Sequence, residues 1–218
     1  MLFGTLFSSL VLSAATLVSA QTDLSSFVEV ANLPYRFQLA ALNTTLPNAN
    51  NTGAPLTLGA GGATGGINLY TSSTWNSFPY NSHNQSALVN NALRAFDRLD
   101  DRWDLNGTTV QGGDSLTWIM SLMYGAPQEK NAVYSAFVPQ NAVDFGRHAD
   151  GTNEPYPLLA VNNRTDLWSL CPDSFARPQT RLRYNVSAAG ESPYNFDPNQ
   201  CYSVTVNLVS VEALNIFA

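Results

Sequence analysis

Short runs in which apolar and polar residues alternate recur along most of the chain, with turn residues between them. Alternation with a period of two is typical of β-strands that bury one face. Gly, Pro, Asn and Asp between the runs predict frequent turns. The pattern therefore predicts a single, mainly β domain that is barrel-like or trefoil-like, with a β-sandwich as the alternative. The clearest runs are 37–42, 56–58, 67–70, 116–120, 133–138, 157–161, 167–170, 182–186 and 202–209.

One segment has a helical period instead. Between residues 86 and 103 the apolar positions are three or four residues apart, which predicts an amphipathic helix. Ser86 is a suitable N-cap, and Asn106-Gly107 is a suitable stop. The apolar positions of this predicted helix are Leu88, Ala92, Phe96, Leu99 and Trp103.

The N-terminus has the pattern of a secretion signal. An apolar stretch ends in Val18-Ser19-Ala20, which places small residues where signal peptidase requires them. This predicts a signal peptide over residues 1–20, cleavage before Gln21, and a single secreted β domain over 21–218. The C-terminal residues lack the polar spacer and apolar tail of a GPI signal. We therefore expect no membrane anchor and a location in the extracellular space or the cell wall.

Six Asn-X-Ser/Thr sequons support a secretory route. Such sites are glycosylated only when the chain enters a secretory lumen and the Asn is accessible. The protein is therefore predicted to be a glycoprotein whose sequon-bearing loops face outward. The six positions are Asn43, Asn50, Asn84, Asn106, Asn163 and Asn185.

The charge content narrows the possible partners, and the cysteine content predicts a covalent cross-link. Charged residues make up 12% of the chain and the net charge is −6, so a nucleic-acid partner and an anionic membrane are both disfavoured. The two cysteines, Cys171 and Cys201, are an even pair in an oxidising compartment, which predicts one disulfide bond.

Candidate catalytic patterns are incomplete. Gly113-Asp114-Ser115-Leu116 matches the signature of a family of serine esterases, but a base is needed, and His83 and His148 lack the expected spacing from an Asp. Two isolated histidines and two paired cysteines leave no zinc or copper ligand set. We expect no cofactor, no metal and no catalytic residues. A glycosidase needs two facing carboxylates, and the sequence gives no reason to pair any two of its acids. The candidate acids are Glu129, Asp144, Glu154, Asp173 and Glu191.

Aromatic residues in polar loops suggest carbohydrate contacts. Exposed rings can stack on sugar faces while neighbouring Asn and Asp residues bond the hydroxyls; the alternative is that these rings cover the ends of a barrel. Phe196 lies in a similar Pro-flanked loop. The candidate carbohydrate-contact residues are Trp75, Tyr80, Tyr156 and Tyr194.

The C-terminal third resembles a known group of proteins. The runs Leu167-Trp168-Ser169-Leu170-Cys171-Pro172, Leu182-Arg183-Tyr184-Asn185-Val186 and Cys201-Tyr202-Ser203-Val204 are similar to fungal secreted cell-wall proteins of the phialide-protein type. Phe37-Gln38-Leu39-Ala40-Ala41 resembles their opening strand. The resemblance implies a glycosylated, non-enzymatic wall protein of a filamentous fungus, with Cys171 and Cys201 bonded.

The sequence thus predicts a secreted, N-glycosylated structural or interaction protein without catalytic activity. Cell-wall polysaccharide or other extracellular proteins are the expected partners. A carbohydrate-binding, lectin-like module is the first alternative, and a secreted hydrolase is the second.

Overall fold

The computed structural model describes residues 23–64, 67–79, 85–96, 104–107, 115–120, 133–140, 155–173, 178–188 and 196–211. Thirteen strands in these ranges form one antiparallel sheet, which confirms the predicted mainly β class. They are β1 (Phe27–Val30), β2 (Phe37–Asn43), β3 (Ala54–Thr64), β4 (Ile67–Thr74), β5 (Gln85–Val89), β6 (Ala92–Phe96), β7 (Asp104–Gly107), β8 (Thr117–Met120), β9 (Tyr134–Pro139), β10 (Leu158–Val161), β11 (Trp168–Asp173), β12 (Gln179–Tyr184) and β13 (Tyr202–Ser210).

Six of these strands close into a barrel. Around the ring the order is β2, β3, β4, β12, β11 and β13, and each strand is hydrogen-bonded to both neighbours. The ring closes where β13 pairs with β2, in a register that runs from Val204 opposite Asn43 to Ser210 opposite Phe37. The barrel-like form expected from the sequence is therefore the observed one.

The remaining strands join the barrel where a barrel strand pairs with two different strands along the same edge. β5, β6, β7 and β8 extend from β2 to β4, and β10, β9 and β1 extend from β13. Buried residues of β5, β6, β8, β9 and β10 join those of the barrel strands in one apolar core.

Two buried aromatic rings illustrate how this core accommodates polar atoms. The rings of Trp168 and Tyr184 meet edge to face with centroids 5.2 Å apart. The indole N–H of Trp168 donates to Leu159 O at 3.2 Å, and the Tyr184 hydroxyl donates to Val161 O at 3.1 Å. Because each polar atom has a partner, both rings can be buried without an unsatisfied donor.

The amphipathic helix predicted over 86–103 is wrong, because β5 and β6 form a hairpin there. Its two-residue turn is Asn90-Asn91, with φ of 48° and 61°. Positive φ at both positions is the geometry of a type I′ turn, and Asn tolerates it better than most residues. Leu88 and Leu93 face each other across the hairpin and are fully buried. Residues 97–103 of the predicted helix lie outside the described residues.

The predicted signal peptide, residues 1–20, also lies outside the described residues. Among the helices in the described part of the chain, none is long and apolar enough to cross a membrane.

The hairpin predicts an order of stability for substitutions at Asn90. Asn90→Gly should change the free energy of unfolding by less than about 1 kcal/mol, since glycine reaches positive φ without strain. Asn90→Val should destabilise by roughly 1–3 kcal/mol, because a β-branched residue is strained there. Urea unfolding of the two variants measures the difference. The opposite order, with glycine the more damaging residue, is expected for a helix and would contradict the hairpin.

Candidate functional site

Charged and amide side chains are buried on the outer face of the barrel, opposite the core. Asp173 lies directly across from Gln179 in the β11–β12 pair, and cross-strand partners share a face. Arg181 and Arg183 follow at two-residue intervals on β12 and therefore lie on the same face. The intervening Leu182 faces the core. Strand alternation thus gathers two arginines, one aspartate and one glutamine on one surface.

The aspartate binds both arginines. Asp173 Oδ2 accepts from Arg183 Nη2 and lies 3.3 Å from Arg181 Nη1. The side chain of Arg181 also donates from Nη2 to Ala60 O at 3.0 Å. Burial lowers the pKa of Arg181, while the Asp173 carboxylate opposes that shift. A guanidinium stays charged at any physiological pH, so this is a buried ionic cluster.

Gln179 is fixed by contacts at both ends of its amide. Its Oε1 accepts from Ser73 Oγ at 2.9 Å, and its Nε2 donates to Ala60 O at 2.7 Å. A Cβ at Gly59 would collide with that Oε1, so only glycine leaves room for the amide in this position. Gln179 therefore has a single, well-defined position beside the ionic cluster.

The predicted disulfide between Cys171 and Cys201 is confirmed. Cys171 is on β11, on the same face as Asp173, and Cys201 directly follows the short 3₁₀ turn Pro198–Gln200. The bond therefore ties this turn to the outer face of the barrel. The segment that it holds, residues 196–200, is called the clamp segment below.

Two further contacts define the clamp segment. The guanidinium of Arg183 lies 3.8 Å from the centroid of the Phe196 ring, a cation–π contact. Asp197 caps the 3₁₀ turn, because its Oδ1 accepts from Asn199 N at 2.9 Å. The segment is thus held at its start by the ring, at its centre by the cap and at its end by the disulfide.

A cleft of about 520 Å³ lies between the clamp segment, the end of the β11–β12 pair at Asp173 and Gln179, and the turn after β4. Asp173 and Gln179 form its floor. Its apolar walls are Pro172, Pro178 and Phe196. Polar groups are contributed around the cleft by Ser77, Thr180, Asp197 and Gln200.

Trp75 stands on the turn that borders this cleft. Its backbone N–H donates to Pro55 O at 2.8 Å, and the turn is closed by Ser77 N and Phe78 N, which both donate to Thr74 O. Ser77 Oγ in turn accepts from Thr180 N at 2.9 Å. The Trp75 side chain remains 46% exposed. A large apolar ring is thus presented to solvent by a turn that is fixed to two strands.

The other predicted carbohydrate contacts do not join Trp75 in the described structure. Tyr156 is half-buried, and its hydroxyl is 3.1 Å from Thr52 Oγ1, in the loop between β2 and β3. It is not among the described residues that line the cleft. Tyr80 and Tyr194 lie outside the described residues.

Four of the six sequons have described side chains, and all four reach solvent. Asn50 and Asn163 are exposed, and Asn43 and Asn185 are partly exposed. The side chain of Asn106 and all of Asn84 lie outside the described part of the chain. Accessibility at these four positions is compatible with glycans there.

The candidate catalytic residues are not brought together among the described residues. The backbone of Ser115 forms an isolated bridge with Arg183, while His83 and His148 lie outside the described ranges. Asp173 is bonded to arginines, and the other four candidate acids are also outside those ranges. The described residues contain no group of three or more His, Cys, Asp or Glu side chains that could hold a metal ion.

Sequence reasoning missed most of the cleft. Arg181 and Arg183 are two positions apart, so in a strand they lie on the same face. This spacing was the available signal that β12 has a polar face. Asp197 and Gln200 carry no such signal. They reach the cleft because the disulfide places them there.

The ionic cluster predicts a large effect for Asp173→Asn. Removing the carboxylate takes away the buried negative charge that both guanidiniums contact, so the free energy of unfolding should fall by roughly 3–5 kcal/mol. Asp166→Asn is the matched control, since Asp166 pairs with Arg164 at the surface, and it should cost no more than about 1 kcal/mol. Equal losses in urea unfolding of the two variants would contradict the buried cluster.

The disulfide predicts a second difference in stability. Its loop spans 30 residues, and opening it by the double substitution Cys171→Ser and Cys201→Ser should destabilise by roughly 3–4 kcal/mol. Denaturant unfolding with and without a reductant measures this. The reductant should lower the midpoint of the natural protein and leave that of the variant unchanged. An equal midpoint for both proteins without reductant would refute the effect.

Comparison with known proteins names no relative. No family model, no curated protein and no solved structure matches this chain.

Proposed function

We propose that this chain is a secreted, N-glycosylated protein of the extracellular space or the fungal cell wall that binds a neutral polysaccharide and carries out no catalysis. This proposal joins the interaction role that the sequence predicts with its first alternative, a carbohydrate-binding module. The observation that carries the proposal is the exposed indole of Trp75, on a fixed turn whose Ser77 lines the cleft.

An indole in this position suits a sugar ring. Its flat apolar face can pack against the C–H face of a pyranose, and the polar groups of the neighbouring cleft can bond hydroxyls. The hydrogen bonds of Trp75 N to Pro55 O and of Thr180 N to Ser77 Oγ hold the turn before any ligand arrives. A preformed surface loses less conformational entropy on binding.

Three features support an extracellular location. Disulfides persist in oxidising compartments, and this chain has one. Accessible sequons are compatible with passage through a secretory lumen. The resemblance to phialide-type wall proteins supports a place in the fungal wall, and remains a hypothesis about origin.

One described contact supports the non-catalytic part of the proposal. An esterase using Ser115 requires a base within hydrogen-bonding distance of its hydroxyl, and a glycosidase requires two facing carboxylates. The one described acid among the candidates, Asp173, is bonded to two arginines. A hydrolase therefore stays the less favoured alternative.

The test is a pull-down of the purified glycoprotein on insoluble chitin, β-glucan and mannan. We expect saturable binding to one polymer and a dissociation constant about tenfold higher for Trp75→Ala, which corresponds to about 1.4 kcal/mol. Val28→Ala is the control, because Val28 is an exposed apolar residue on β1, outside the cleft and its turn.

If both variants bind the polymer as tightly as the natural protein does, Trp75 is not part of the binding site. Absence of binding to all three polymers would overturn the carbohydrate proposal and leave the structural or protein-interaction role. Release of soluble sugar or cleavage of a chromogenic ester by the natural protein would overturn the non-catalytic assignment.

A further inference from the structure

We propose that the cleft behind the Trp75 turn is a separate subsite that holds a short stretch of a neutral saccharide, about one or two sugar units, in contact with the clamp segment. This inference rests on the proposed function and specifies which groups recognise the ligand. It adds Phe196, Asp197 and Gln200 to the residues that contact sugar.

The shape of the cleft suits such a ligand. Its volume of about 520 Å³ lies within the usual range of about 300–1,000 Å³ for small-molecule sites. Pro172, Pro178 and Phe196 are its apolar surfaces. Rigid proline and aromatic rings can contact the C–H faces of a sugar and lose little side-chain entropy.

The polar groups of the cleft divide into two sets. Gln179 and Ser77 are already engaged in short hydrogen bonds within the protein. Asp197 uses Oδ1 for its cap, while Oδ2 accepts one long bond, at 3.4 Å, from Gln200 Nε2. Both of these side chains are exposed at the edge of the cleft. A carboxylate oxygen and an amide are therefore placed to accept from and donate to hydroxyl groups.

The charges that the structure describes at the cleft favour a neutral ligand. Arg181 and Arg183 carry two positive charges, and Asp173 and Asp197 carry two negative charges, so these four described groups sum to zero. Both arginines contact Asp173, and Arg183 is in addition covered by the Phe196 ring. The charge nearest to solvent is that of Asp197, which would repel an acidic sugar.

The clamp-segment residues of this subsite are held in place by other contacts than those that hold Trp75. Phe196, Asp197 and Gln200 are placed by the disulfide and the Arg183 contact, whereas Trp75 is placed by β3 and β12. A substitution in one set should therefore leave the other set folded. This separation allows the two contributions to be measured apart.

The experiment is calorimetric titration of the full-length glycoprotein with soluble chito-, β-gluco- and manno-oligosaccharides of two to about six units. We expect one series to bind and Asp197→Asn to weaken that binding at least about tenfold, because Oδ2 becomes a donor while the Oδ1 cap is kept. The matched control is Asp166→Asn, which removes the same charge from a surface ion pair. Gln200→Ala is a second variant, at an exposed position, that should also weaken binding.

The outcomes separate this inference from the proposed function. If Asp197→Asn and Gln200→Ala bind oligosaccharide as tightly as Asp166→Asn, the subsite is overturned, while Trp75-dependent polymer binding still supports the proposed function. Tighter binding of an acidic oligosaccharide, such as oligogalacturonate, would overturn the neutral specificity. If neither polymer nor oligosaccharide binds, both proposals fail. Thermal unfolding of each variant, expected to match that of the natural protein within a few degrees, separates lost contacts from lost folding.

Discussion

The pairing of β13 with β2 is the contact on which the rest of the structure depends. It joins the last described strand to a strand near the N-terminus in seven registered residue pairs and closes the six-stranded ring. Closure satisfies backbone groups that an open sheet would leave at its edges. It also fixes which faces of β13 and β2 point inward together, because a slip of β13 by one residue would turn Leu208 out of the core, away from Leu39.

Part of the outer face of the closed barrel is buried and not exposed to solvent. On β12 the residues that alternate with the core are two arginines and a glutamine, and all three are buried. Burying charge in this way is expensive unless partners are at hand, and Asp173 and Ala60 O supply them. The ionic cluster therefore requires the β11–β12 register, and the contact of Arg183 with the Phe196 ring requires the clamp segment.

The proposed site follows from these two constraints. The disulfide attaches the clamp segment to the barrel, and the clamp segment is one wall of the cleft. The opposite border is a turn that the barrel holds through Pro55 and Thr180. A cleft whose borders are fixed separately to a closed barrel is preformed, which suits recognition of an extended polymer with little rearrangement.

The two exposed features of the site have different relations to the sequence. Trp75 could be selected in advance, since a tryptophan in a loop rich in Asn and Ser is conspicuous. Phe196 stands in a similar loop and could be noted for the same reason. Its role became visible only when Arg183, 13 residues earlier, was found against its ring.

The sequence by itself determined the β class and the disulfide, because strand alternation is local and two cysteines allow only one pair. It also contained the Asn90-Asn91 turn. The apolar residues of 86–103, however, happen to be three or four positions apart, and this spacing favoured a helix. Only the tertiary structure decided for the hairpin. The pairing of Leu88 with Leu93 and their burial in a shared core outweigh the helical spacing of the apolar residues. The barrel order, the ionic cluster and the cleft were decided in the same way. Each of them depends on contacts between residues distant in the chain, as between Gln179 and Ala60 or Ser77 and Thr180, and local sequence carries no record of such distances.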